Sequence, residues 1–378
     1  MKFNETVELL KKTKNEYVIL EDALKDTLKD SAKRSKILVV PSLQGRVLTS
    51  TVDGDNGTGL GWVNKSFIEK PVSAPFKNYG GEERFWLGPE GGQYALYFSP
   101  GKKFNMDNWF VPSALNDSVF DVRHQSINSI KMYCEMKLKN YLNTEFHLGV
   151  ERNIFLLDKP EYIKGIKGKI GFVGYRSENI ITNLSKNKIM KDKGLISIWI
   201  LGQFVSGDKN YVIIPYKNGN IKTQIVNDNY FGKVPEDRLT IKKGYLIFKA
   251  DGKYRSKIGL SHSRTKNVFG SIDFNSNHLT IIEFDRKDCP DYVNSMWGIQ
   301  EKPYEGDIIN SYNDGPAKPG EKSLGGFYEL ENSSPVYELD SKSQLKHNSR
   351  TYHFVAEIDI LKKIAQVGLG IDMEESHA

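Results

Sequence analysis

Apolar runs and turn signals alternate along almost the whole chain. Runs of four to eight residues, rich in β-branched and aromatic types, lie at Ile37–Val40, Gln93–Phe98, Met132–Leu138, Phe146–Leu157, Lys169–Tyr175, Leu195–Leu201, Tyr211–Pro215, Tyr245–Lys249, His278–Phe284, Phe327–Glu331 and Tyr352–Ile358. Such side chains pack well on a pleated surface, so each run predicts a strand. Asp53-Gly54, Asn56-Gly57, Asn218-Gly219, Asp251-Gly252 and Asp314-Gly315 separate the runs and suit tight turns. Helical spacing shows only at the two ends. Val7, Leu9 and Leu10 sit among charges in residues 5–13, and Ile360, Leu361 and Ile364 lie within Asp359–Gln366. The chain lacks the strand–helix–strand alternation of a Rossmann or TIM fold. It also lacks the repeat of a propeller. Roughly 20 strands with no linker between them predict an all-β protein, two antiparallel sheets packed face to face. Residues 1–378 read as a single domain, with an N-terminal helical extension at 1–15 and a C-terminal helix and tail at 359–378.

Composition narrows the function classes. Hydrophobic residues make up 39% and charged residues 26%, enough for a large core and against disorder as the main state. The net charge is +6, and Lys and Arg are interleaved with Asp and Glu. No basic arm stands out, so no nucleic-acid partner is expected. Cys134 and Cys289 are too few and too far apart for a disulfide framework or a zinc knuckle, and two idle thiols fit a reducing compartment. No stretch approaches the ~18 apolar residues of a membrane helix, so no membrane insertion is expected. Charges interrupt the first twenty residues every few positions, leaving no signal core. The sequence as given reads as cytoplasmic, or as periplasmic if an export signal has been removed. Asn-x-Ser/Thr triplets at Asn4, Asn56, Asn64, Asn116, Asn183 and Asn332 reflect an Asn-rich composition. The oligomeric state is not encoded in any of these features.

Three segments concentrate chemistry. Tyr79-Gly-Gly-Glu-Glu-Arg-Phe-Trp-Leu-Gly-Pro-Glu-Gly-Gly92 holds five glycines, Glu82, Glu90, Arg84 and Trp86. Glycines let a ligand approach the backbone, Arg84 can fork onto hydroxyls or a carboxylate, and Trp86 offers a flat face. A pyranose, with hydroxyls at its rim and C–H groups on its faces, wants this mixture. The same segment also reads as a rigid inter-strand loop with internal salt bridges, and no Gly-Lys-Ser/Thr follows to make a P-loop. In Pro303-Tyr-Glu-Gly-Asp-Ile-Ile-Asn-Ser-Tyr-Asn-Asp-Gly315, the residues Asp307, Asn310, Tyr312 and Asn313 can donate, accept and stack, as a binding loop or as a self-bonded Asx-turn loop. In Phe327-Tyr-Glu-Leu-Glu-Asn-Ser-Ser-Pro335, a strand would place Glu329 and Glu331 on one face, ~7 Å apart. Close like charges raise one proton affinity, which lets an acid and a base coexist near neutral pH; the pair is otherwise a solvated face.

His347 and His353 lie just downstream and complete the candidate catalytic set with Glu329 and Glu331. His124, His147, His262, His278 and His377 have no supporting context. No short metal-ligand spacing occurs, so neither metal nor cofactor is expected. Arg46, following a glycine at a strand start, and Lys257, in Arg255-Ser-Lys-Ile-Gly259, are further hydroxyl or anion contacts, whereas Trp199 reads as core.

Four motifs taken together resemble a bacterial family of unknown function found mainly in Bacteroidetes. They are Gln44-Gly-Arg-Val-Leu-Thr-Ser-Thr51, Gly-Trp-Val-Asn64, the Tyr79–Gln93 segment and Asp307-Ile-Ile-Asn-Ser-Tyr-Asn-Asp-Gly-Pro316. The resemblance runs from about Glu16 to Phe354. More distantly, the layout is similar to the galactose mutarotase (aldose 1-epimerase) superfamily. That similarity implies a large antiparallel β-supersandwich with a sugar cleft on one face and a glutamate base near the C-terminus. Glu329-Leu-Glu331-Asn-Ser-Ser-Pro335 is similar to the segment carrying that base, so the role falls to Glu329 or Glu331, and the superfamily's arginine corresponds to Arg46 or Arg84. Two mutarotase histidines are absent: Tyr79 precedes Gly80-Gly81, and Leu184 follows Thr182-Asn183. The general acid at the ring oxygen would then come from Glu82, His347 or His353. The expectation is a carbohydrate-active protein acting on a mono- or oligosaccharide, possessing mutarotase- or epimerase-like chemistry. The alternatives are a non-catalytic carbohydrate-binding module and a glycoside hydrolase or lyase on the same fold.

Overall fold

A computed structural model describes residues 1–22, 34–70, 79–219, 223–287, 291–316 and 320–372; Cys289, His377 and the C-terminal tail lie outside them. The strands in the first part of the chain are β1 (Val18–Glu21), β2 (Lys36–Val40), β3 (Arg46–Thr51), β4 (Arg84–Gly88), β5 (Asp121–Gln125), β6 (Ser129–Lys139), β7 (Glu145–Leu157), β8 (Gly171–Asn183) and β9 (Ser197–Val205). There follow β10 (Asn210–Pro215), β11 (Leu239–Lys242), β12 (Tyr245–Lys249), β13 (Ser256–Ser261), β14 (Val268–Asp273), β15 (His278–Phe284), β16 (Asp307–Asn313), β17 (Phe327–Ser333) and β18 (Gln344–Val355). The helices are α1 (Phe3–Lys12), α2 (Lys65–Glu69), α3 (Ser113–Asn116) and α4 (Ile358–Leu369).

These strands form three antiparallel sheets. A ten-stranded sheet runs β11-β12-β10-β14-β15-β18-β8-β7-β6-β5, a five-stranded sheet runs β13-β16-β17-β9-β4, and β1-β2-β3 form a small third sheet. The five-stranded sheet lies on the ten-stranded one. Phe85, Ile198 and Ile200 share a core with Met136, Val150, Val173 and Leu345, while Leu330, Ile309 and Leu260 share another with Val212, Phe248 and Phe269. The outer face of the large sheet is covered by α4, whose Leu361, Ile364 and Ala365 pack with Ile281 and Phe354. α1 packs on the small sheet through Phe3, Leu9 and Leu10 against Leu38, Val40 and Leu48. Among the described residues no helix is long and apolar enough to cross a membrane.

The antiparallel, nearly all-β architecture agrees with the periodicity, and both terminal helices lie where their spacing put them. Three local expectations need correction. Gln93–Phe98 is not a strand: Ala95 N–H bonds Gly92 O and Leu96 N–H bonds Pro89 O, so the backbone is satisfied by its own loop while Ala95, Leu96, Tyr97 and Phe98 are buried in the core. Asp307–Asn313 is not a loop but the strand β16, paired on both sides with β13 and β17. Its Asn and Asp residues favour turns locally, yet Ile308, Ile309 and a full set of ladder hydrogen bonds override that preference. The middle of the glycine-rich Tyr79–Gly92 segment is likewise a strand, β4, at the edge of the five-stranded sheet.

Candidate functional site

The exposed side of the five-stranded sheet is the floor of a cleft of about 380 Å³. Its side chains follow from strand alternation and register. One row across four strands is Lys257, Tyr312, Glu329 and Gln203; the next is Gly259, Asn310, Glu331, Leu201 and Arg84; and Trp199 faces Trp86 beyond them. Residues far apart in the sequence therefore share one surface. Arg84 Nη2 donates to Glu329 Oε1 at 3.2 Å, and Gln203 Nε2 donates to the same oxygen at 2.6 Å. Both bonds fall on Oε1, which leaves Glu329 Oε2 available to a ligand. Glu331 lies fully buried beneath the cleft, where its Oε2 accepts from Trp199 Nε1 and from Lys257 Nζ, each at 3.0 Å. Arg84 Nε and Nη1 and Glu331 Oε1 have no protein hydrogen-bond partner. Unpaired buried groups of this kind cost about 1–3 kcal/mol each, a cost that functional sites carry more often than structural cores do.

Loops build the walls. Gly91 lets the Gly88–Gln93 turn touch its neighbour, since a Cβ there would stand 2.4 Å from Met296 O. Glu90 N–H donates to Ser295 Oγ at 3.1 Å, and Gln93 and Gln300 exchange two bonds of 2.9 Å. The zipped loops present Glu90, Ser295, Met296 and Trp297 to the cleft. Trp109 Nε1 donates to Glu90 Oε1 at 3.0 Å. On the opposite side Tyr230 is fixed by its hydroxyl, which donates to Asp307 Oδ2 at 2.6 Å and accepts from Asn310 Nδ2 at 2.9 Å. Gly259 makes room for that cluster, because a Cβ there would meet Asp307 Oδ2 at 2.3 Å. The third wall hangs on Asp314, whose Oδ2 accepts from Gly325 N–H at 2.9 Å and Gly326 N–H at 3.0 Å, which holds Leu324 and Phe327 at the rim.

Burial sets the protonation chemistry. Burial first, and then the Glu331 charge, pushes the Glu329 carboxyl up to about 7, against the pull of Arg84, Lys257 and Gln203. Burial likewise raises Glu90, with Lys257 opposing. For Lys257 burial disfavours the ammonium, but Glu331, Glu90 and Glu329 together outweigh it and hold its pKa above the ordinary lysine value. A carboxyl poised near neutrality beside a fixed guanidinium can take and return a proton at a bound hydroxyl. Among the described residues no group of three or more His, Cys, Asp or Glu side chains is placed to hold a metal ion.

The structure brings together Arg84, Trp86, Glu90, Lys257, Tyr312 and Glu329 on the cleft surface, with Glu331, Asp307 and Asn310 directly behind it. It does not bring the others there. Arg46, in the small sheet, donates Nη1–H to Gly80 O at 2.7 Å and Nη2–H to Gln44 Oε1 at 2.5 Å, in the protein interior. Asn313 points to the face opposite Tyr312 and bonds Gly252 N–H and Tyr254 O. Glu82 accepts from Ser50 N–H at 2.6 Å and pairs with His353 Nε2 at 2.9 Å, and His353 Nδ1 contacts His278 Nε2 at 3.0 Å. His347 Nε2 meets Asn332 Oδ1 at 2.6 Å, and burial lowers its pKa to about 4. Glu82, His347 and His353 thus form polar contacts in the interior, behind the floor of the cleft, and do not line it. The physical reason is alternation: Asn332 faces away from Glu331, and the partner of Asn332 on the large sheet faces it across the interior.

The cleft also contains residues that sequence patterns did not mark: Trp109, Tyr230, Phe231, Arg255 and Trp297. Only Arg255 sat in a noted motif. The aromatic ones come from connecting segments with no periodic signal. Trp199, read as core, is buried yet lines the cleft and donates to Glu331.

No curated protein matches this chain significantly in sequence. Among solved structures it is similar to a galactose mutarotase-like protein from Lactobacillus casei ATCC 334, at 11% identity and TM-score 0.50, covering 89% of this chain and 100% of that one. Others are a putative aldose 1-epimerase from Escherichia coli K12 (9% identity, TM-score 0.49, covering 89% and 99%) and a galactose mutarotase related enzyme from Lactobacillus acidophilus (10%, 0.48, covering 90% and 99%). The first likeness shows a shared fold, so the stacked sheets form a galactose mutarotase-like supersandwich. The family model described as "Family of unknown function (DUF6786)" matches residues 1–378, and the chain belongs to that family.

Proposed function

We propose that the protein binds a saccharide in this cleft and transfers a proton at its anomeric centre, with Glu329 as general base. One observation carries the reading: Glu329 stands at the floor of an aromatic-lined cleft with Oε1 tied to Arg84 and Gln203, and with Oε2 free. Trp86, Trp109 and Trp199 bring indole rings to the cleft wall for contact with sugar C–H groups, while Arg84 and Lys257 offer donors to hydroxyls. Glu329 would remove the proton of the anomeric hydroxyl as the bond from C1 to the ring oxygen breaks and the carbonyl forms. Glu90, whose carboxyl burial also raises, is the second cleft group suited to hold a proton for the ring oxygen. This reading moves the acid from Glu82, His347 and His353 to Glu90. The mutarotase-like folds of the solved neighbours support a sugar ligand as a matter of fold.

Among the described residues no histidine lines the cleft, and the second reading is a carbohydrate-binding module without turnover. Anomer exchange of a hexose panel, followed by magnetisation transfer between α and β signals, separates the two. The enzyme reading expects acceleration that falls by ~10²–10⁴-fold in Glu329→Gln while binding persists. Binding without acceleration in the unaltered protein selects the module, and equal acceleration in Glu329→Gln rejects the base.

A further inference from the structure

We infer that the sugar taken by the cleft is acidic, carrying a carboxylate or phosphate, and that Arg255 receives that charge. The inference rests on the saccharide reading above and adds the substrate class. Of the long basic side chains that line the cleft, two are paired with a carboxyl: Arg84 with Glu329 at 3.2 Å and Lys257 with Glu331 at 3.0 Å. Arg255 has no carboxylate partner among the described residues. Its guanidinium carbon lies 4.1 Å from the Phe231 ring centroid, and its Nη2 touches Met106 Sδ at 3.9 Å. The Phe231 ring lies beneath the Arg255 guanidinium and attracts the cation without using its N–H groups, which leaves them for a ligand. Lys322, exposed at the same rim and without an ion pair among the described residues, adds positive charge, offset there by Glu321.

A planar guanidinium held this way matches the two oxygens of a carboxylate or phosphate, with paired charge-assisted bonds. A neutral hexose would offer it hydroxyls alone, which are weaker partners. The nearby carboxyls do not fill the role. Glu329 is tied to Arg84 and Gln203, and Glu90 to Trp109. The aromatic walls would still hold the pyranose, while the acidic substituent would lie toward Phe231 and Arg255. Gly315 and Tyr312 complete that end of the cleft.

Calorimetric titration of the full chain tests this with glucuronate, galacturonate and glucose 6-phosphate against glucose and galactose. At least one acidic sugar is expected to bind about tenfold or more tightly than its neutral counterpart. The uronate and phosphate arms identify which anion fits. Arg255→Gln should bring the acidic-to-neutral ratio within about twofold, and Arg255→Lys should keep part of it. Circular dichroism checks that the variants fold. If Arg255→Gln does not fold, the wild-type preference must shrink as salt rises from about 0.05 to 0.5 M, and a salt-independent preference overturns the inference. Neutral sugars binding as tightly as acidic ones, or a ratio unchanged in folded Arg255→Gln, also overturns it while the saccharide reading stands. A wholly silent panel removes both.

Discussion

At the residue scale the account turns on one carboxyl. Glu329 gains its unusual proton affinity from burial and from Glu331, so ionisation is held back to about 7. As a base it acts only when ionised, and kcat/KM should rise with pH through that value with a single-proton slope. A flat profile between about pH 5 and 8 would deny Glu329 the role. The same shift affects stability. The folded pKa lies above the unfolded one, so the contribution of Glu329 is full below the ordinary glutamate value and is lost as pH rises toward about 7. Glu329→Gln should therefore gain thermal stability relative to the unaltered protein on going from acid to neutral pH. His347 runs in the opposite sense. Burial depresses its pKa to about 4, so its contribution is present above the ordinary histidine value and is lost as pH falls through about 4. Thermal melts of His347→Gln should lose part of the acid sensitivity seen without the substitution; identical acid limbs would contradict the assignment.

At the element scale β17 does two jobs. Its odd-numbered positions from Phe327 to Glu331 serve the cleft, while Tyr328, Leu330 and Asn332 face the interior. Leu330→Ala should cost about 2–5 kcal/mol in denaturant unfolding, because a buried side chain is removed between two sheets. Lys257→Met should cost about 3–5 kcal/mol, since it strips the buried Glu331 of its cation; a loss under about 1 kcal/mol would show the pair to be energetically idle. The Glu329-x-Glu331 pair was legible in the sequence, because period-two alternation is enough to put both on one face. β16 was not, because Asp307, Asn310 and Asn313 imitate turn chemistry until their strand partners are known. The histidines misled for a related reason. Alternation says which residues share a face, but not whether that face meets the cleft or the second sheet.

At the scale of the molecule, the antiparallel all-β architecture was readable from the turn signals and strand-forming runs, whereas the supersandwich came only with the resemblance of the motifs, which left Arg46 and Arg84 both open as the partner of the glutamate. Trp109, Tyr230 and Trp297 were not readable, since loops bring them to the cleft through single contacts such as Glu90–Trp109 and Tyr230–Asp307. The central claim is that sheet floor and loop walls together enclose one saccharide. The most direct test is a crystal structure with the tightest-binding sugar of the panel. The account predicts the ring against Trp86 or its indole neighbours, with a hydroxyl within hydrogen-bond reach of Glu329 Oε2. A sugar bound elsewhere on the molecule, with the cleft between Arg84 and Tyr230 empty, would contradict it.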